Sequence, residues 1–185
     1  SGSISVMRLA ADGQLIPTDH LLDTLDTRFA DLQALSVVRA GAHVFVLAGG
    51  ADDGLSLFSL LPGGQLVHLE TLADAAGLGL NNVADIEAVL TGDVIQIFVS
   101  SEGAAGLSQF TIPLGALGDV ISGSGAAATR RAGTGGDDVI KAGAGRDTLV
   151  GQGGDDILVS GAAGAVLTGG AGADLFVLCP GTGSQ

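Results

Sequence analysis

The 185-residue chain has neither Trp nor Tyr, and it contains only one Cys and one Met. The lone Cys179 cannot form an internal disulfide, and the absence of CxxC or Cys/His groupings excludes a structural zinc site. Seven basic residues stand against 20 acidic ones, which excludes a nucleic-acid partner because phosphate binding needs a basic face. Since sugar sites commonly use Trp or Tyr faces, a lectin is disfavoured.

Long apolar runs and catalytic motifs are also missing. No stretch approaches the roughly 20 apolar residues that span a bilayer, and the first ten residues lack the plan of a signal peptide. We therefore expect no membrane insertion and no cleaved N-terminal signal. The motifs GxSxG, HExxH, GxGxxG and the P-loop are absent. His20, His43 and His68 share no repeat position and are expected at the surface or a sheet edge, so the chain is predicted not to be an enzyme.

The residues that are abundant favour turns, strands and oxygen ligands. An apolar share of 46% is enough for a core, which excludes disorder from low hydrophobicity. Most of the acids are Asp, and many stand beside Gly, a combination typical of turns rather than helices. Because Asp and turn carbonyls supply the hard oxygen ligands that calcium prefers, Ca²⁺ is the predicted cofactor.

The first part of the chain alternates short apolar runs with Gly- and Asp-containing turns, the pattern of β-strands. A hairpin at residues 5–16 recurs at residues 56–67, 51 positions later, and more weakly at residues 107–121. A strand at residues 44–48 also recurs 51 positions later, at residues 95–99. A period near 50 with about four strands indicates a propeller blade.

These repeats amount to about two and a half blades. Residues 35–69 and 86–122 are each predicted to form a four-stranded unit, and residues 4–17 supply the last two strands of another. A propeller usually closes with four to eight blades. Three arrangements therefore stay open: a fragment of a longer protein, a ring completed by several copies, or a compact sheet sandwich. Open sheet edges favour self-association into a homo-oligomer.

A stricter period of nine begins at Gly133 and continues to Val177. The five rows are GTGGDDVIK, AGAGRDTLV, GQGGDDILV, SGAAGAVLT and GGAGADLFV. Position 8 is always large and apolar, and position 6 is Asp in every row except the fourth, where it is Ala165. A period of nine fits no helix and suits a tight turn followed by a short strand, and stacking such units makes a parallel β-roll.

The five rows resemble the RTX (repeats-in-toxin) nonapeptide GGxGxDxUx. The resemblance implies that turns 18 residues apart stack on one edge and hold about two calcium ions through carbonyl and carboxylate oxygens. It implies a first site of Thr134, Gly136 and Asp138 with Gly151, Gly153 and Asp156, and a second of Gln152, Gly154 and Asp156 with Gly169, Ala171 and Asp174. On the other edge, a weaker set of Gly143, Gly145 and Asp147 faces a row without the second carboxylate. We expect no ion there, or a weak one completed by water.

The sequence thus predicts an all-β protein in which blade-like antiparallel repeats, as a partial β-propeller or sandwich, precede a parallel β-roll. The expected divisions are a propeller-like domain at residues 1–118, a degenerate cap or linker at 119–132, the β-roll at 133–178 and a tail at 179–185. The first domain resembles propeller-like modules that accompany calcium-binding repeats in secreted bacterial proteins.

The RTX resemblance also implies a function. It suggests a protein secreted by the type I route of a Gram-negative bacterium, acting as a non-enzymatic structural or interaction module whose β-roll folds on calcium after export. Two alternatives are the noncatalytic C-terminal part of a larger secreted RTX hydrolase and a calcium-dependent glycan-binding adhesin. Because the chain stops soon after the last row, which is short for a C-terminal secretion signal, we expect a truncated piece.

Overall fold

A computed structural model describes residues 2–75, 77–115 and 117–179, and all regular elements of these residues are β-strands. This confirms the predicted all-β class. The chain divides into two compact units, Ser1–Pro113 and Leu114–Gln185, which are considered separately below. Within the described ranges, no helix has the length and apolar character needed to cross a membrane.

The described part of the first unit forms three antiparallel sheets, in which neighbouring strands follow one another in the chain. Short turns between the strands explain this simple order. The first sheet contains β1 (Ser3–Leu9) and β2 (Leu15–Leu22). The second contains β3 (Ala34–Ala40), β4 (His43–Gly49), β5 (Gly54–Leu60) and β6 (Leu66–Ala73), and the third contains β7 (Val83–Thr91), β8 (Val94–Ser101) and β9 (Leu107–Pro113).

The 51-residue repeat is visible in the backbone geometry and hydrogen bonds of this unit. The β1–β2 and β5–β6 turns contain Gly13 and Gly64, whose φ angles are 84° and 86°. Asp23 Oδ1 accepts the amide of Phe29 at 3.2 Å, and 51 residues later Asp74 Oδ1 accepts the amide of Leu80 at 2.9 Å. Each carboxylate closes the connection between two sheets, so the repeat includes the linking segments as well as the strands.

The core of the first unit surrounds its four-stranded sheet, which explains why β4 and β5 are apolar along most of their length. On one face, Phe58 packs with Ile4 of the first sheet and with Phe29, whose ring meets it edge to face at 5.8 Å. On the other face, Ser36 Oγ accepts the amide of Ala88 at 3.1 Å and joins β3 to β7. The propeller interpretation stays a prediction.

One histidine differs from expectation. His20 is exposed and bonds Ser5 Oγ through Nδ1 at 2.9 Å, whereas His43 is only 6% exposed. For His43, the first alternative of that prediction, a position at the surface, is therefore wrong. Its ring stacks on that of Phe45, with 6.3 Å between the centroids, because burying the apolar faces of both rings offsets the cost of removing the imidazole from water.

The second unit is a parallel β-solenoid, which confirms the predicted β-roll. One sheet contains β10 (Leu117–Ser122), β12 (Asp137–Lys141), β14 (Ile157–Val159) and β16 (Leu175–Val177). The other contains β11 (Arg130–Ala132), β13 (Asp147–Gly153) and β15 (Ala165–Ala171). Val139 pairs with Ile157, and Ile157 with Leu175, so neighbouring strands are offset by 18 residues as the rows of nine require.

The apolar residues at position 8 form the interior of the solenoid. Ile140, Leu149 and Leu158 are fully buried and pack together, and Leu167 packs partly buried against them. Phe176 of the fifth row is 47% exposed, because no strand of the described chain stacks on the outer side of β16. The column therefore supplies a narrow core that depends on three central side chains.

The second four-stranded repeat expected at residues 86–122 is not formed. Its first three strands make the sheet β7–β8–β9, but β10 pairs in parallel with β12. The Asp138 side chain contributes to this pairing, because its Oδ1 accepts the amide of Asp119 at 2.5 Å and so ties β10 to the next coil of the solenoid. The segment 119–132, interpreted from the sequence as a cap or linker, contains part of β10 and all of β11.

Replacing Phe58 by Ala is expected to destabilise the first unit by about 3–5 kcal/mol, because it empties a fully buried aromatic position. Leu25→Ala is the control, since Leu25 is 94% exposed, and should change the free energy of unfolding by less than about 0.5 kcal/mol. Urea unfolding followed by circular dichroism measures both. Equal losses in the two variants would contradict this description of the core.

Candidate metal centre

Three Asp residues form a column along one edge of the solenoid. Asp138, Asp156 and Asp174 occupy position 6 of alternate rows, beside the start of β12, β14 and β16. The amide of Asp138 donates to Asp156 Oδ1 at 2.8 Å, and the amide of Asp156 donates to Asp174 Oδ1 at 3.2 Å. The fold thus brings together the three carboxylates named for the two predicted sites, and each carboxylate ties its own coil to the preceding one.

The middle residue of the column contains an unsatisfied oxygen. Asp156 is 0% exposed, and within the described chain its Oδ2 accepts no hydrogen bond. Burial, together with the neighbouring carboxylates of Asp138 and Asp174, raises the pKa of Asp156 to about 6, although the hydrogen bond from the Asp138 amide lowers it. An anionic oxygen that is buried without a partner is costly, so this point of the column favours a cation.

Glycine leaves space around these carboxylates. A Cβ added to Gly151 would lie 1.9 Å from Asp156 Oδ2 and 2.8 Å from the Gly169 carbonyl oxygen. In the coil before, a Cβ added to Gly133 would lie 2.1 Å from Asp138 Oδ2 and 2.8 Å from the Gly151 carbonyl oxygen. Carboxylate and carbonyl oxygens therefore converge on places that a side chain would fill.

The donor set determines which metal could bind. Nowhere in residues 2–75, 77–115 and 117–179 do three His, Cys, Asp or Glu side chains lie close enough to hold a metal by themselves. A cation in the Asp column would need backbone carbonyls, such as those of Gly151 and Gly169, in addition to carboxylates. A mixed set of hard oxygens suits Ca²⁺ and excludes a soft, thiolate-type site.

The other residues predicted for the two sites lie in the turns of the same edge. Thr134 donates its amide to Asp138 Oδ2 at 2.7 Å, and its Oγ1 accepts the amide of Gly136 at 3.1 Å. Gly154 has a φ of 97°, and a Cβ on it would lie 2.4 Å from the carbonyl carbon of Gly136. These turns therefore stack closely, as the predicted sites require.

The last residues of β13 and β15 lie beside this edge of the solenoid. They include three more of the predicted ligands, Gln152, Gly153 and Ala171. Gly153 pairs with Ala171, and Gln152 pairs with Gly170, at the ends of β13 and β15. Gln152 has a φ of 90°, unusual for a residue with a side chain, and its Nε2 donates to the Gly133 carbonyl. Strained backbone of this kind clusters at ligand sites.

The comparison with known families agrees with this geometry. Residues 132–163 match the family model described as RTX calcium-binding nonapeptide repeat (4 copies). The solenoid carries RTX calcium-binding repeats. Neither the curated proteins nor the solved structures contain a match to the chain. RTX repeats bind Ca²⁺, in accord with the oxygen-rich turns, and Asp174 of the last row lies beyond the matched residues.

The second edge of the RTX solenoid differs from the first. Asp147, of the weaker predicted set, pairs with Ala165, and its Oδ2 accepts the amide of Gly143 at 2.6 Å. Its Oδ1 accepts the hydroxyl and the amide of Thr129 at 2.7 and 2.8 Å. The Thr129 hydroxyl, followed by the two amides, lowers the pKa of Asp147 to about 2. Gly145 donates its amide to the Gly125 carbonyl at 3.2 Å.

Sequence reasoning missed Asp119, whose amide donates to Asp138 Oδ1 and so adds one more hydrogen bond to the series along the Asp column. Residues 114–122 form a further RTX-like row, with Gly115 at position 2, Asp119 at position 6 and Ile121 at position 8. The row escapes detection because the next one begins with an extra residue, Gly123, and the count of nine is lost.

Sequence reasoning also missed a second series of hydrogen bonds between coils, which runs along the surface of the RTX repeats. Asp137 Oδ1 accepts the amide of Asp155 at 2.8 Å, and Asp155 Oδ1 accepts the amide of Ala173 at 2.7 Å. The paired letters DD in rows one and three are the signal in the sequence. Position 5 therefore holds the coils together at the surface, outside the buried column.

Gly151→Ala should destabilise the RTX solenoid by about 1–3 kcal/mol, because the new methyl group overlaps Asp156 Oδ2. Gly135→Ala is the matched control in the same edge, since a Cβ there meets nothing within 4 Å. Its effect should stay within about 0.5 kcal/mol. Denaturant unfolding of the two variants at fixed calcium measures the difference, and similar stabilities would argue against the glycine-lined cradle.

Proposed function

We propose that the protein is a secreted, non-enzymatic calcium-binding module whose RTX solenoid folds when about two calcium ions fill the Asp column. The observation that carries the proposal is the buried Oδ2 of Asp156 in the middle of that column, which accepts no hydrogen bond within the described chain. Asp156 would serve both ions, with Asp138 in the first site and Asp174 in the second. Bound calcium would supply positive charge beside these carboxylates.

Charge arithmetic supports this stoichiometry. The five rows contain six Asp residues against Lys141 and Arg146, a net charge of −4, which two divalent cations cancel. Without ions, Asp138, Asp156 and Asp174 repel one another, and the interior column of Ile140, Leu149 and Leu158 is thin. When a site exists only in the folded chain, its binding free energy becomes folding free energy.

Calcium-dependent folding suits a protein that crosses membranes unfolded. Extracellular calcium modules typically have a Kd of roughly 10⁻⁴ to 10⁻³ M. Sites of that strength stay empty inside a cell and fill outside it. We propose export by the type I route, as the RTX family suggests, with the Asp column folding only after the chain reaches external calcium.

The first unit would act as an interaction surface for a second copy of the chain. In the β1–β2 hairpin, Met7, Leu9 and Leu15 are 52%, 68% and 63% exposed. A two-stranded sheet with apolar side chains at its tip is a site for pairing with another chain. We propose self-association through this hairpin.

Calcium titration of four Asp→Asn variants tests the metal sites. Wild type and Asp155→Asn should bind about two ions, whereas Asp138→Asn and Asp174→Asn should each retain about one, since each removes a carboxylate from one site only. Asp156→Asn should bind none, because both sites lose a ligand. Isothermal titration calorimetry gives the stoichiometry, and circular dichroism after chelation reports the coupled folding.

Asp155→Asn is the matched control, because it removes one negative charge from an exposed residue beside Asp156 and leaves an Oδ1 that can still accept the Ala173 amide. A stoichiometry that falls equally in Asp155→Asn and Asp156→Asn would contradict the assignment of calcium to the Asp column. Circular dichroism that millimolar calcium leaves unchanged after chelation would contradict calcium-dependent folding even if ions bind.

Self-association predicts species larger than a monomer in multi-angle light scattering. The double variant Leu9→Lys, Leu15→Lys should shift the mass to that of a monomer, because charges on an exposed hairpin oppose strand pairing. Leu25→Lys is the control, since Leu25 is 94% exposed and lies outside the hairpin. A wild-type protein that is monomeric at every concentration would refute this part of the proposal.

A further inference from the structure

The edge of the solenoid opposite the Asp column contains a side-chain cation. Arg131, on β11, points its Nη1 at Asp147 Oδ1, on the next coil, with 3.4 Å between the two atoms. The Asp147 side chain is fully buried, and that of Arg131 is only 17% exposed. The same Nη1 donates to Thr129 Oγ1, which in turn donates to Asp147.

The fold makes room for this guanidinium. A Cβ added to Gly123 would lie 2.8 Å from both Cζ and Nη2 of Arg131. In the nonapeptide pattern, Thr129 and Arg131 stand at positions 6 and 8, where an acid and a large apolar residue are usual. Both departures from the pattern therefore contact the Asp147 carboxylate, and the extra residue Gly123 leaves the space that the Arg131 guanidinium occupies.

The Asp147 carboxylate is satisfied without a metal. Its Oδ2 accepts the Gly143 amide, and its Oδ1 accepts the Thr129 amide and hydroxyl and faces the Arg131 charge. This contrasts with Asp156, whose Oδ2 has no donor within the described chain. Hydrogen bonds between charged partners are stronger than neutral ones, and removing one partner of a buried ion pair is strongly destabilising.

We infer that Arg131 takes the place of a calcium ion at this edge and holds β11 against β13 when calcium is absent. The clamp consists of Arg131, Thr129 and Asp147. Because Leu149 of β13 packs against Ile140 and Leu158 of the opposite sheet, the clamped coil offers an ordered apolar surface on which the calcium-dependent strands fold. This inference goes beyond the proposed function, since it concerns the edge to which no ion is assigned.

Hydrogen exchange measured by mass spectrometry tests the clamp in the full chain, with calcium and after chelation. In calcium, both sheets of the wild type should be protected. After chelation, the segments at residues 137–141 and 157–159 should lose protection. Residues 147–150, which contain the part of β13 that pairs with β11, should still exchange at least about tenfold more slowly than residues 137–141, because their opening still requires the buried ion pair to separate.

Arg131→Met and Arg130→Met form a matched pair of variants. Both remove one positive charge from β11, but Arg130 is exposed and takes no part in the clamp. Arg130→Met should behave as the wild type, whereas Arg131→Met should lose the remaining protection of residues 147–150 after chelation. Arg131→Lys, which keeps the charge without the planar fork, should restore part of it.

Two results would overturn the inference: chelated wild type in which residues 147–150 exchange as fast as residues 137–141, or identical exchange in Arg130→Met and Arg131→Met. If Arg131→Met does not fold even in calcium, Thr129→Val removes the hydroxyl alone and should give the same loss to a smaller extent. Failure of the calcium proposal would look different, because exchange at residues 137–141 would then ignore calcium while Arg131→Met still weakened β13.

Discussion

The hydrogen bond from a backbone amide to the carboxylate one coil later is the constraint on which the solenoid depends. Asp174 accepts the amide of Asp156, Asp156 accepts that of Asp138, and Asp138 accepts that of Asp119. Each bond fixes the register of two coils. The same bonds bury the like charges of Asp138 and Asp156 in a region of low dielectric, where repulsion is poorly screened. The fold therefore gains register at the cost of bringing buried carboxylates close together.

The two edges solve this electrostatic problem in different ways. At Asp147, a hydroxyl, two amides and a guanidinium supply every donor that the carboxylate needs. At Asp156, the neighbouring position in the turn is Gly151, which has no side chain to donate, and Oδ2 accepts no hydrogen bond from the residues that the structure describes. A protein cation is always present, whereas a calcium ion is present only in some compartments. The edge with glycine is therefore the one whose folding can respond to its surroundings.

The predictability of the site follows from how local its rules are. The rows of nine place Asp138, Asp156 and Asp174 in one column because the strand and turn lengths are set within each row. In the sequence, Thr129 and Arg131 look like departures from the nonapeptide pattern without a role. Their contact with Asp147 forms only once the coils stack, so their own row does not reveal it. His43 was misjudged for a similar reason, because its burial depends on packing against Phe45 rather than on its own strand. Interactions within a repeat can thus be read from sequence, while substitutions that compensate across coils cannot.

The strand β10 shows how one segment can satisfy two periodicities and follow only one. It begins at Leu117, which lies 51 residues after Leu66 at the start of β6, yet it pairs with β12. Val67 of β6 is 9% exposed and helps bury that sheet, and its counterpart in β10 is Gly118, which has no side chain to pack. In the solenoid, the same glycine is required, because a Cβ there would lie 2.3 Å from Asp138 Oδ1. Glycine at position 118 thus removes an apolar side chain that would favour pairing with β9 as a fourth strand. It also leaves room for the hydrogen bond between the Asp119 amide and the Asp138 carboxylate. The chain therefore changes from antiparallel sheets to the solenoid at this residue.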